Sequence, residues 1–250
     1  MSKAVLITGA SSGIGKALAG EFAGRGYDLG LAARREQSLA ELRETIATEY
    51  PDRRVEVRGL DVTRYDDVET VVEDLAGALG GLDIVIANAG LGSTGPVGAG
   101  HFDADRAVIE TNVIGAMATI DAGVALFKRQ GRGQVVAISS VAAVRGLPGG
   151  ASYSASKAAI AVYADAVRAE LHGGPITVTT LLPGYIDTPL NENMKQRPFL
   201  ISLDKGARII ADLIEREVKS KTVPVFPWNV VTRLLRVAPT SRIAGMAGRG

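Results

Sequence analysis

The alternation of short Val-, Ile- and Leu-rich runs with longer segments of helical period constrains this chain more than any other feature. Apolar runs at 4–7, 28–33, 55–60, 83–87, 134–139 and 176–182, with a weaker one at 222–225, read as strands. Segments near 13–24, 37–49, 66–79, 103–128, 152–171 and 204–218 read as the helices between them. Strands joined through helices are parallel, and right-handed crossovers lay those helices on both faces. The expectation is a doubly wound α/β fold, a parallel sheet of about seven strands with helices on both sides.

With 250 residues, no Pro- or Ser-rich linker and no internal repeat, positions 1–250 read as one domain. Such a chain buries roughly 70–75% of the surface its unfolded form exposes and needs no covalent staple. It contains no cysteine, which excludes disulfide frameworks, thiolate zinc sites, cysteine nucleophiles and cysteine-ligated clusters, and no metal site is expected. No run of 18 uncharged apolar residues occurs, and Met1-Ser2-Lys3 passes straight into the first strand, so the chain reads as soluble and cytoplasmic. The formal net charge of +1 hides an asymmetry. No Asp or Glu follows Glu217, while Lys219, Lys221, Arg233, Arg236, Arg242 and Arg249 do. Positions 1–217 hold 22 basic and 27 acidic groups, a net of −5, which offers no broad footprint for nucleic acid.

In a doubly wound sheet, ligands bind beyond the carboxyl ends of the strands, so the residues just after each strand carry the information. After the first comes Thr8-Gly9-Ala10-Ser11-Ser12-Gly13-Ile14-Gly15, opening a helix. Glycines allow close backbone approach, and amides at a helix start suit a pyrophosphate. The octet also matches the Gly-x-Ser-x-Gly nucleophile elbow of hydrolases, with Ser11 as nucleophile. That reading is disfavoured. An elbow needs earlier strands to supply its oxyanion hole, and the only two histidines stand in a glycine-rich loop (His101) and at a helix end (His172).

Further strand ends carry Asp61-Val62, Asn88-Ala89-Gly90 and Ser139-Ser140. Tyr153 and Lys157, four apart on one helix, share a face. A phenol with pKa near 10 is a poor acid–base group at neutral pH, and a neighbouring ammonium would pull it toward the working range. With Asn112 in an earlier helix, the set resembles the short-chain dehydrogenase/reductase family, in its compact single-domain branch with a Rossmann-type fold, from Lys3 to about Thr188. The resemblance implies an oxidoreductase that moves hydride between a nicotinamide and a carbonyl or secondary alcohol. It assigns Gly9, Ser11, Ser12, Gly13, Ile14 and Gly15 to the pyrophosphate, Asp61 and Val62 to the adenine, and Asn88, Ala89 and Gly90 to the central sheet beneath the cofactor. Pro183, Gly184 and Thr188 would hold the nicotinamide carboxamide, and Asn112, Ser140, Tyr153 and Lys157 would be catalytic. Lys157 would also bond the nicotinamide ribose, and Asn112 would support a water that replenishes the proton. A non-catalytic NADPH-binding scaffold or sensor is the alternative reading.

After the second strand, Ala33 stands where an NAD-specific protein places an acid, and Arg34 followed by Arg35 suits a 2′-phosphate. NADP(H) is therefore expected as the preferred cofactor, with NAD(H) also admitted. Positions 188–202, with Leu190, Met194, Phe199, Leu200 and Ile201, correspond to the segment that closes over substrate in relatives, and promise an apolar pocket for a small-molecule carbonyl or alcohol. The resemblance also implies a homo-oligomer, a dimer before a tetramer, built on helices 103–128 and 152–171. The basic extension at 219–250 contains a short amphipathic helix, 228–237. Its Val230, Val231, Leu234, Leu235 and Val237 are expected to pack on the protein, with peripheral membrane contact as the alternative.

Overall fold

The computed structural model describes residues 2–92, 95–194 and 196–245; Arg249, counted above in the basic extension, lies outside them. In chain order the elements are β1 (Ala4–Thr8), α1 (Gly13–Gly24), β2 (Asp28–Ala33), α2 (Glu36–Glu49), β3 (Val55–Gly59), α3 (Tyr65–Leu79), β4 (Ile84–Ala87) and α4 (Phe102–Ile109). A π-helical turn, Glu110–Gly115, joins α4 to α5 (Ala116–Gln130). Then follow β5 (Gly133–Ile138), a 3-10 turn (Val141–Val144), α6 (Ala151–Glu170), β6 (Ile176–Pro183), α7 (Leu203–Glu215), β7 (Ser220–Val223), α8 (Trp228–Val237) and α9 (Thr240–Ala244).

The seven strands form one sheet in the order β3-β2-β1-β4-β5-β6-β7, and every pairing is parallel. Every residue of β1 and β2 is buried, as expected of strands covered on both faces. Alternate residues feed two cores. Val5 and Ile7 join Leu18, Phe22, Leu39 and Ile210 from α1, α2 and α7. Ala4 and Leu6 join Val72, Leu75, Ile120, Phe127 and Ile160 from α3, α5 and α6. The stretch Phe102–Gln130 is long and apolar enough to cross a membrane by length and composition, but its Ile120, Leu126 and Phe127 are buried in the second core.

The strand order reverses between β1 and β4. Chains leaving those two strands diverge to opposite sides, which opens a crevice at their carboxyl ends. Three expectations need correction. The helix expected over 103–128 is broken by the π-helical turn at Asn112, the last strand lies two residues earlier than read, and α8 turns much of its apolar side outward.

Candidate active site

At the crevice, backbones approach too closely for side chains. Gly9 has φ +69°, and a Cβ there would lie 2.7 Å from the Ala89 Cα. A Cβ on Gly15 would lie 2.4 Å from the Gly9 carbonyl oxygen, so Gly15 does not line the cavity but lets α1 start directly beneath it. The loop is braced from β4. The Asn88 amide donates to the carbonyls of Thr8 at 2.9 Å and Gly9 at 3.4 Å, while the Thr8 hydroxyl donates to the Ile86 carbonyl at 3.2 Å. Ser12 precedes α1 in extended conformation and makes no side-chain cap, leaving the first-turn amides of α1 directed at the crevice.

The cavity measures about 410 Å³ and is lined by Gly9, Ser11, Ser12, Gly13, Ile14, Arg34, Arg35, Asp61, Val62, Asn88, Ala89 and Gly90. Ser140, Tyr153, Lys157, Pro183, Gly184 and Thr188 line it as well, so that of the expected set only Gly15 and Asn112 do not. The arginines behave differently from one another. Arg35 donates to the hydroxyls of Ser11 at 2.9 Å and Ser12 at 2.7 Å, which ties α2 to the glycine loop; Arg34 is exposed at the rim. Asp61 is turned back on its own loop, accepting from the Thr63 amide at 3.1 Å and hydroxyl at 2.8 Å.

Asn112 does not reach the cavity surface, being only 1% exposed. Its Oδ1 accepts from the Leu91 amide at 2.7 Å, and its Nδ2 donates to the Leu91 carbonyl at 3.0 Å and to Ser156 Oγ at 3.0 Å. Both amide hydrogens are thereby used. The side chain braces the strand β4 exit against α6, and any support of a water falls to acceptors and not to its N–H groups.

Ser140 ends the run from β5 and caps the 3-10 turn, its Oγ accepting from the Ala142 amide at 3.1 Å. The same hydroxyl hydrogen-bonds Tyr153, which pulls the phenol pKa down, but burial has the larger effect and holds it above 10. The depression expected from Lys157 is not what this geometry gives. The Lys157 Nζ lies 5.8 Å from the Tyr153 ring centroid and donates to the Ile138 carbonyl at 3.0 Å. Burial brings the ammonium itself down to about 8.

Two contributors escaped the sequence. Ser156, one residue before Lys157, is fully buried and links Asn112 to the Tyr153 carbonyl, to which it donates at 2.8 Å. Trp228 of α8 packs directly on Gly184, where a Cβ would fall 2.1 Å from the indole Nε1. Its ring meets Tyr185 at 6.0 Å and Phe199, edge-to-face, at 5.6 Å. No local signal marks that contact, since it joins residues 44 apart.

The chain matches the short chain dehydrogenase family over residues 3–198. It belongs to that family. An uncharacterized oxidoreductase of Mycobacterium tuberculosis is 40% identical over 236 residues, covering 94% of this chain and 93% of that one. The 11-beta-hydroxysteroid dehydrogenase 1A of Arabidopsis thaliana is also 40% identical, over 94% of this chain and 71% of the plant protein. Among solved structures, an alcohol dehydrogenase of the archaeon Thermococcus sibiricus, in complex with 5-hydroxy-NADP, superposes with a TM-score of 0.79 at 28% identity, covering 89% of this chain and 95% of that one. The protein is thus an oxidoreductase of the short-chain type with the family's Rossmann-type sheet.

Proposed function

We propose that this protein is an NADP(H)-dependent oxidoreductase acting on the carbonyl or secondary alcohol of an apolar small molecule, with Tyr153 as general acid and base. The observation that carries the reading is the convergence of Ser140, Tyr153 and Lys157 on the same cavity as the glycine loop. The glycine loop on the cavity wall, held close against β4 because Gly9 and Gly15 carry no side chain, and the uncapped start of α1 suit a pyrophosphate. When bound, the nicotinamide supplies hydride to the carbonyl carbon or takes it from the alcohol carbon. Ser140 Oγ holds the substrate oxygen, and Tyr153 gives that oxygen its proton in reduction or removes it in oxidation. Lys157, on the cavity wall, would bond the nicotinamide ribose, and Asn112 fixes the helix turn and loop around them. Leu91, Ile186 and Leu190 line the cavity and favour an apolar substrate. The steroid dehydrogenase among the relatives is consistent with that class.

Preference for the 2′-phosphorylated cofactor is supported by buried Ala33, which carries no carboxylate to repel it, and by Arg34 and Arg35 at the rim. Arg34→Ala and Arg35→Ala should each weaken NADPH at least about tenfold, the loss expected of one charge-assisted contact, and leave NADH nearly unchanged. Titration of both cofactors into all three proteins decides the point. Equal weakening of the two cofactors would remove the phosphate from the argument.

The central test is Tyr153→Phe, assayed on a panel of ketones, aldehydes and alcohols by NADPH absorbance. Turnover should fall by about a hundredfold or more with cofactor binding intact. Because burial holds the phenol protonated, reduction should stay flat through neutral pH while oxidation by the wild type climbs as the pH rises toward 10. Unchanged turnover in Tyr153→Phe overturns the assignment.

A further inference from the structure

Helix α8 has two faces, and the proposed chemistry uses only one. The inner face carries buried Trp228 and Thr232, the latter donating to the Trp228 carbonyl at 2.7 Å, and it packs on β7 and the 3-10 turn after Ser140. The outer face carries Val230, Leu234 and Val237, which are 45%, 62% and 81% exposed. Spacings of four and three place these three along a single ridge. Phe226, two residues before the helix, is 75% exposed. Exposed Arg233 and Arg236 run along one side of the ridge, and exposed Lys219, Lys221 and Arg242 lie on the segments before and after the helix, with no acidic residue after Glu217.

A second copy of the chain is a poor occupant for this face. A two-fold pairing of the ridge would bring Arg233 and Arg236 toward their own counterparts with no carboxylate on the segment to offset them. An apolar ridge bordered by cations, on a segment that carries no acidic residue, instead matches an apolar layer under an anionic surface. At ten residues α8 is half of what a bilayer crossing requires, roughly 20, so it would lie along the interface and not through it. The location suits that role. Trp228 on the inner face touches Phe199 of the segment bordering the cavity, and that segment itself exposes Leu190, Met194 and Leu200.

We infer that α8 and the Phe226 turn form a docking surface for an anionic lipid bilayer, with the ridge embedded among the acyl chains and Arg233 and Arg236 at the phosphates. Docking there sets the cavity edge against the lipid, where a lipophilic substrate would be concentrated. The docking itself does not depend on the catalytic reading.

The experiment is co-sedimentation of the full chain with vesicles of phosphatidylcholine alone or mixed with phosphatidylserine, at low salt and at about 0.5 M NaCl, where screening is nearly complete beyond a few ångströms. Partition onto the serine-lipid vesicles at low salt should exceed that onto phosphatidylcholine by about tenfold or more and collapse at high salt. Val230→Ser with Leu234→Ser, and separately Arg233→Gln with Arg236→Gln, should each lower partition by a similar factor while the thermal midpoint and NADPH binding stay at wild-type values. Absence of partition onto anionic vesicles at low salt overturns the proposal, and so does undiminished partition in both double variants. Sedimentation velocity supplies the last arm: if the serine variant converts an oligomer to monomer, the ridge is a subunit interface and the lipid assignment fails.

Discussion

Lys157 is an ammonium held in the interior, 6% exposed, against a carbonyl and an aromatic ring and with no acidic group among its described partners. Lowering it from 10.5 to about 8 costs the folded state about 3 kcal/mol at neutral pH, because both states are then protonated and only the folded one is desolvated. As pH rises from 8 to 10.5 the folded protein binds fewer protons than the unfolded chain, so this penalty is progressively relieved. Lys157→Met, which keeps the length and drops the charge, should therefore be more stable than wild type at pH 7 by up to about 3 kcal/mol and should lose that margin by pH 10, while activity disappears. Urea melts across the pH range check this, and a pH-independent difference would show that the charge is not the cause. At the same scale the sequence was informative wherever a residue of the cavity wall follows its strand directly, as Ser140 and Asn88 do. It was silent on Trp228, whose position over Gly184 is set by how α8 packs.

Among the elements, the π-helical turn is the one that periodicity concealed. An apolar pattern spaced at three and four tolerates one extra residue per turn without losing its stripe, so 103–128 reads as a continuous helix. The widened turn carries Asn112 to the point where it meets both polar atoms of Leu91 and the Ser156 hydroxyl. Asn112→Ala would take the side-chain partner from both the amide and the carbonyl of Leu91, while Ser156 would keep its bond to the Tyr153 carbonyl. A loss of about 2–4 kcal/mol in stability is expected, together with a lower kcat, and a cost under about 0.5 kcal/mol in denaturant titration would refute the brace. The amphipathic pattern of α8 was legible but its orientation was not. Trp228, the largest side chain of the helix, finds the gap over Gly184 and takes Thr232 inward with it, which rotates Val230 and Leu234 to the surface. The shift of β7 has a simpler cause: Pro224 offers no N–H to the ladder, so the strand ends at Val223.

For the molecule as a whole, the reversal of strand order between β1 and β4 assembles the cavity from the two halves of the sheet, with the glycine loop and Arg35 from one and Ser140, Tyr153 and Thr188 from the other. A dinucleotide bound there would bridge both. NADPH at a hundred times its Kd should raise folding stability by about 2.7 kcal/mol, and amide exchange should slow together at 9–15, 90–91 and 183–188. Slowing confined to the first of these segments would mean that the nicotinamide half does not engage. This architecture was the most legible level of all, because alternation of buried strands and helices leaves few topologies to choose among. Parallelism also gives the molecule a front and a back. Ser2 sits at the back, its hydroxyl bonded to Asp28 at the entrance of β2 at 2.6 Å, while α8 stands at the front beside the cavity. The five residues of β1, at about 3.3 Å each, hold the two apart. An affinity handle or solid support joined at the amino end therefore leaves the cavity facing the bulk solution, and one joined beyond α8 shares its doorway.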